Sequence, residues 1–107
     1  MADALLVLTT VADRAAGLAL ARALLERRLA ACVNVGASVD SLYHWRGRIE
    51  TAQEVPLVIK TRASLYPKVE AAIRELHDYE LPEILAIPVH AADAGYIGWI
   101  EAETSET

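Results

Sequence analysis

"ACVNVGASVDSLYHW", residues 31–45, changes identity at every second position: Val33, Val35, Ala37 and Val39 alternate with Asn34, Gly36, Ser38 and Asp40, and Tyr43 and Trp45 continue the first set. This period predicts one extended strand. "RGRI" then turns the chain at Gly47, and Ile49 to Thr61 returns as a second strand in which Pro56 marks a bulge or a free edge. Fifteen residues in one strand would reach about 50 Å at about 3.3 Å per residue, whereas a 100-residue domain has a radius of gyration near ~13 Å. Such a hairpin overhangs its own core. Its far end carries Leu42, Tyr43, Trp45 and Ile49, apolar surface that costs about 25 cal/mol per Å² to leave in water. Cover by further copies of the chain is expected. The alternative is a hairpin kinked at Gly36 or Pro56 and folded back on its own sheet.

The segments around the hairpin complete the fold class. "LLVLTT", residues 5–10, reads as a buried strand, after which Thr10 or Asp13 caps a helix over 13–29 with Leu18, Ala21, Leu25 and Leu29 on its apolar stripe. Beyond the hairpin, Ser64 opens a helix in "SLYPKVEAAIRELH" with Leu65, Val69, Ala72, Ile73 and Leu76 facing inward. Pro67 lies in the first turn, and Glu70 and Arg74 are spaced for an ion pair. Pro82 ends that helix, "ILAIPVH" (84–90) is a strand, and Asp93 caps a weaker helix in which Tyr96, Ile97 and Ile100 share a face. "ETSET" (103–107) is a frayed acidic end. The order is the split βαβ pattern of an α+β, ferredoxin-like βαββαβ antiparallel sheet with an extra C-terminal helix, and 1–107 reads as a single domain.

Composition narrows the function. The chain has 107 residues, 54% of them apolar, and a net charge of −5 without a Lys/Arg run, which argues against nucleic acid as a partner. No apolar stretch approaches the roughly 20 residues of a membrane span, and "MADALLVLTT" lacks a basic leader region. The single cysteine, Cys32, forms no intramolecular disulfide and suits a reducing compartment; a cytoplasmic location is expected. The five glycines are scattered, so no phosphate-binding loop exists, and no serine, cysteine or carboxylate pair stands in a catalytic context; an enzyme is not expected.

"ELHDYELPEIL", residues 75–85, concentrates Glu75, Asp78, Glu80 and Glu83 around His77 and Tyr79. Such a set could ligate a borderline divalent ion, yet the same residues serve equally as a helix stop with a histidine at the helix C-terminus. Glu54 and Lys60, if turned into one cleft, would form a charged pair suited to a small anion, and Tyr79, Trp45 and Trp99 could line that cleft. A structural ion pair and ordinary aromatic packing are the competing readings.

"AACVN" (30–34), "WRGRIE" (45–50), Glu54, "KT" (60–61), "HDYELPE" (77–83) and "YIGW" (96–99) together resemble the CutA family of divalent-cation tolerance proteins over nearly the whole chain. The resemblance implies a ferredoxin-like protomer, a homotrimer joined through long hairpins, kinship of fold with the PII-like signalling proteins, and tolerance to copper and other divalent cations. It brings no settled reaction. Two departures stand out: Asp78 follows the histidine where the family usually has proline, and Thr9 and Leu76 occupy positions where some relatives carry a cysteine and a second histidine. Weak copper or zinc binding is therefore expected to centre on His77, with Asp78, Glu83 and Cys32 as further candidate ligands. Two other readings remain: a PII-like trimer binding a small anionic metabolite between subunits, and a structural trimer anchoring a partner protein.

Overall fold

The computed structural model describes residues 3–105; Met1 and Ala2 of the leader reading and Glu106 and Thr107 of the acidic end lie outside them. Strand β1 (Ala4–Val11) is followed by helix α1 (Arg14–Glu26), strands β2 (Cys32–Val35), β3 (Val39–Trp45) and β4 (Arg48–Arg62), helix α2 (Tyr66–Leu76), strand β5 (Leu85–Pro88) and helix α3 (Ala94–Glu103). The sheet order is β2-β4-β1-β5, every pairing is antiparallel, and β3 continues along β4 beyond β2. This is the expected ferredoxin-like α+β arrangement with its extra helix.

Alternation along β1 and β4 separates the two faces of the sheet. Val7, Val11, Val55, Leu57 and Ile59 point to one side and join Leu20, Leu24, Val69 and Ile73 of the two long helices in the core. Leu6 and Leu8, with their cross-strand neighbours Lys60, Val58, Ile87 and Leu85, occupy the other side. Helix α3 crosses only one end of that second face. Arg62 donates from Nε to Thr104 Oγ1 at 2.8 Å and from Nη2 to the Glu101 and Thr104 carbonyls, while Lys60 Nζ lies 5.9 Å from the Tyr96 ring centre. On the rest of the face Leu6, Leu8 and Val58 are partly buried, and Leu85 and Ile87 are exposed.

The long first arm of the hairpin is not one strand. Val35 pairs with Leu57 but Val39 pairs with Glu54, so Gly36, Ala37 and Ser38 oppose only Val55 and Pro56. The extra residue is a bulge. Pro56 has no N–H to offer a neighbour, and its carbonyl accepts from Gly36 N at 2.9 Å; a Cβ on Gly36 would stand 3.0 Å from Pro56 Cγ, so only glycine fits there without a shift. Cross-strand partners share a face. The bulge therefore transfers Val39, Ser41, Tyr43 and Trp45 to the face of Glu54, instead of continuing the face of Val33 and Val35 as the simple period predicts. At the tip, Arg46 and Gly47 take φ of 51° and 80°, the pair of positive values that a two-residue type I′ turn demands. The hairpin still overhangs: the molecule measures 44 × 26 × 23 Å. Leu42 and Ile49, on the face away from Glu54, are 69% and 70% exposed.

Other local expectations hold or shift for identifiable reasons. Asp13 caps α1 by accepting from Ala16 N at 2.8 Å and Asp93 caps α3 by accepting from Tyr96 N at 3.0 Å, whereas Thr10 stays in β1. The buried stripe of α1 is Gly17, Leu20, Ala21 and Leu24; Leu18 and Leu25 are 48% and 41% exposed, and the helix stops three residues early, before Arg28 at φ 59°. Gly17 decides the stripe. A Cβ there would come within 3.2 Å of Val35 and 3.3 Å of Val11, so that side of the helix lies flat on the sheet. Helix α2 buries Val69, Ala72 and Ile73 after a 3₁₀ turn at Ala63–Leu65; Leu76 is exposed, and Glu70 accepts from the Tyr66 hydroxyl at 2.8 Å. In α3, Ile100 is buried but Tyr96 is exposed.

Candidate functional site

The connector after α2 is held by its histidine. His77 leaves helical geometry (φ −92°, ψ 138°), and its Nδ1 accepts from Tyr79 N at 3.0 Å. The ring proton is thereby assigned to Nε2, which donates to the Thr10 carbonyl at 2.6 Å. Both ring nitrogens are occupied. The imidazole packs against the Tyr79 ring with centres 4.4 Å apart, and that contact turns the phenol toward Glu54. Glu54 accepts from Thr10 Oγ1 at 3.2 Å, and its carboxylate neighbours the Tyr79 phenol.

Burial, followed by the neighbouring Glu54 carboxylate, pushes the Tyr79 phenol up to about 12, with Tyr43 and Asp13 adding to the shift. A raised phenol pKa means that the folded state favours the neutral form. The stability it contributes is complete below the ordinary value of 10.0 and is lost as pH rises toward about 12. Comparison of wild type with Tyr79→Phe by thermal unfolding should show the variant losing less stability across that window. Equal alkaline slopes would remove Tyr79 from this role.

Thr10, Glu54 and Tyr79 line a groove of about 550 Å³ between the connector and the bulge-shifted face of β3. Tyr43 and Trp45 form its hairpin wall, and Glu80, Leu81 and Glu83 form the other. The mouth is bridged by Arg46, whose Nη2 lies 3.1 and 3.2 Å from the two Glu80 carboxylate oxygens and whose guanidinium carbon lies 5.4 Å from the Trp45 ring centre. The hairpin thus overhangs the core and also bends back to touch its own connector.

Of the residues singled out from sequence, the protomer brings Glu54, Tyr79, Trp45 and Glu83 together in this groove. Lys60 and Trp99 are elsewhere. Glu54 and Lys60 are six residues apart on β4, about 20 Å at ~3.3 Å per residue, and Lys60 and Trp99 both lie by Tyr96, the ring centres of Tyr96 and Trp99 being 5.4 Å apart. The charged pair expected for an anion is not formed within one chain. Cys32 is half-buried on β2 opposite Lys60. His77 and Asp78 line a separate pocket of about 30 Å³ under α1, close to the volume of a single water. Among the described residues no three His, Cys, Asp or Glu side chains gather as a metal-binding set. Glu80, one of the acidic set read from the connector, joins the groove residues, and Thr10, Tyr43 and Arg46 enter the site unforeseen. Tyr43 could have been placed only by locating the bulge.

A ferredoxin-like sheet with a bulged hairpin reaching past its core, closed on an acidic connector, defines a small class of α+β proteins. Residues 5–103 match the CutA1 divalent ion tolerance protein family, and the chain belongs to it. It is 38% identical over 98 residues to the divalent-cation tolerance protein CutA of Thermus thermophilus, covering 92% of this chain and 95% of that one. It is 42% identical over 85 residues to protein CutA of Mus musculus; the match takes in 79% of this chain but only 48% of the mouse protein. The crystal structure of CutA1 from Oryza sativa superposes with a TM-score of 0.95 at 34% identity, covering 99% of this chain and 97% of that one. No helix among the described residues is long and apolar enough to cross a membrane.

Proposed function

We propose that this chain is one domain of a homotrimer that serves divalent-cation tolerance in the cytoplasm, by weak, exchangeable binding of copper or zinc or by a regulatory response to them, and without catalysing a reaction. The names of its relatives support the divalent-cation role. The single observation that carries the assembly is the distribution of apolar surface: Leu85 and Ile87 on the open sheet face, and Leu42 and Ile49 on the hairpin, are exposed in the protomer. An apolar sheet face calls for a partner layer. The groove offers carboxylates and hydroxyls but no nucleophile with an orienting base, which supports a non-enzymatic role.

Weak metal binding follows from the state of His77. A metal ion at Nε2 must displace the bond to Thr10, and one at Nδ1 must displace the Tyr79 N–H, so part of any coordination energy is spent on the connector. Asp78 and Glu83 add only hard oxygen donors. Calorimetric titration with divalent copper should show modest affinity, most of it absent in His77→Ala and retained in Cys32→Ser. Tight binding that survives His77→Ala and disappears with Cys32→Ser would transfer the site to the thiolate, and binding insensitive to both would leave the metal adventitious.

A further inference from the structure

The geometry points to the groove between β3 and the 79–83 connector as a binding site for a small organic cation carrying an alkylguanidinium or alkylammonium head. The site goes beyond the tolerance reading and is independent of it, since it uses neither His77 nor a metal.

Charge comes first. Glu54 and Glu83 line the groove, and neither is in an ion pair with any described residue; Glu80 is the only one of the three wall carboxylates with a cationic partner. The Thr10 hydroxyl that donates to Glu54 and the neighbouring Tyr79 phenol are neutral and leave the charge of the carboxylate uncancelled. An anion would meet this negative surface with no lysine among the lining residues. An inorganic divalent ion would lack a convergent set of ligands. Beside Thr10, Ser41, His44 and the leucines Leu42 and Leu81, the lining includes Tyr43, Trp45 and Tyr79, whose ring surface attracts cations through its negative face and accommodates the alkyl part of an organic ion. The volume of about 550 Å³ falls within the roughly 300–1,000 Å³ typical of small-molecule pockets.

A second observation is independent of the lining. The chain already places a guanidinium at the mouth, between the Trp45 ring at 5.4 Å and the Glu80 carboxylate at 3.1 Å. Arg46 thereby shows which kind of head group this combination of ring and carboxylate holds. Its ion pair is largely exposed, with 71% and 70% of the two side chains accessible, and exposed pairs contribute little, so a ligand can displace it at small cost. The unpaired Glu54 deeper in the groove is the stronger attraction. The bulge at Gly36–Ser38 turns Tyr43 and Trp45 to the side of Glu54, which brings ring and carboxylate together in the groove.

Trp99→Phe leaves Trp45 as the single tryptophan reporter, and the assembled protein can be titrated with butylguanidinium and tetramethylammonium chlorides against sodium chloride of equal ionic strength. A saturable change in Trp45 fluorescence with at least one organic cation, and none with sodium ethanesulfonate, is expected. Glu54→Gln, which keeps an acceptor for Thr10 and Tyr79, should weaken binding about tenfold. Glu83→Gln, at an exposed position, should weaken it as well and stands in should Glu54→Gln fail to fold. No saturable response to either cation, an equal response to ethanesulfonate, or unchanged binding in both glutamine variants would overturn the assignment.

Discussion

Ile59→Ala is expected to lower the unfolding free energy by about 2 to 5 kcal/mol, the usual cost of emptying a fully buried aliphatic site. Ile59 has no exposed surface, and its register neighbours Val7 and Val33 flank it on both sides of β4 under helices α1 and α2. No small shift can refill that space, because β4 is hydrogen-bonded on both edges there. Gln53→Ala, exposed on the same strand beyond the core, should stay within about 0.5 kcal/mol of wild type. Urea unfolding at one fixed chain concentration measures both. A loss at Ile59 no larger than that at Gln53 would mean that the helix-covered face of β4 is not the centre of the fold.

The second large effect concerns assembly. Ile49 and Ile87 are exposed in the protomer, one on the outer face of the hairpin and one on the open sheet face. A charge introduced at either position meets water in a single chain but is buried unpaired if a partner covers it, at a cost of several kcal/mol. Ile49→Glu and Ile87→Glu should therefore keep a native far-ultraviolet circular dichroism spectrum while sedimenting as smaller species than wild type, the double variant most completely. Variants that remain fully assembled would show that these patches face solvent and that the apolar surface is covered some other way.

The parts of this arrangement that local chemistry specifies were legible in the sequence. Asp13 and Asp93 cap their helices, Pro67 sits in a first turn, Gly47 turns the hairpin, and Val69, Ala72 and Ile73 face the core, because each depends on a residue and its near neighbours. Misread features depend on distant partners. Helix α1 carries two apolar stripes, and period alone cannot choose between Leu18 with Leu25 and Leu20 with Leu24; the choice rests on how closely Gly17 approaches Val35 and Val11. Glu54 and Lys60 share a face of β4 but lie six residues apart, a separation that a conditional pairing in one cleft does not take into account, and Lys60 lies by Tyr96 of α3. The bulge was foreseen as an alternative at Gly36 or Pro56; its consequence, that Tyr43 and Trp45 change sides and create the groove, needs the register. His77 was legible as a helix stop. Its two hydrogen bonds, one to a carbonyl 67 residues away, were not.

Sedimentation equilibrium of the unmodified protein at micromolar concentration tests the proposed assembly most directly. A single species of three times the 11.6 kDa chain mass is the predicted result. A species of one chain mass with a native circular dichroism spectrum would contradict it, since the open sheet face and the outer face of the hairpin would then be stable in water without a partner.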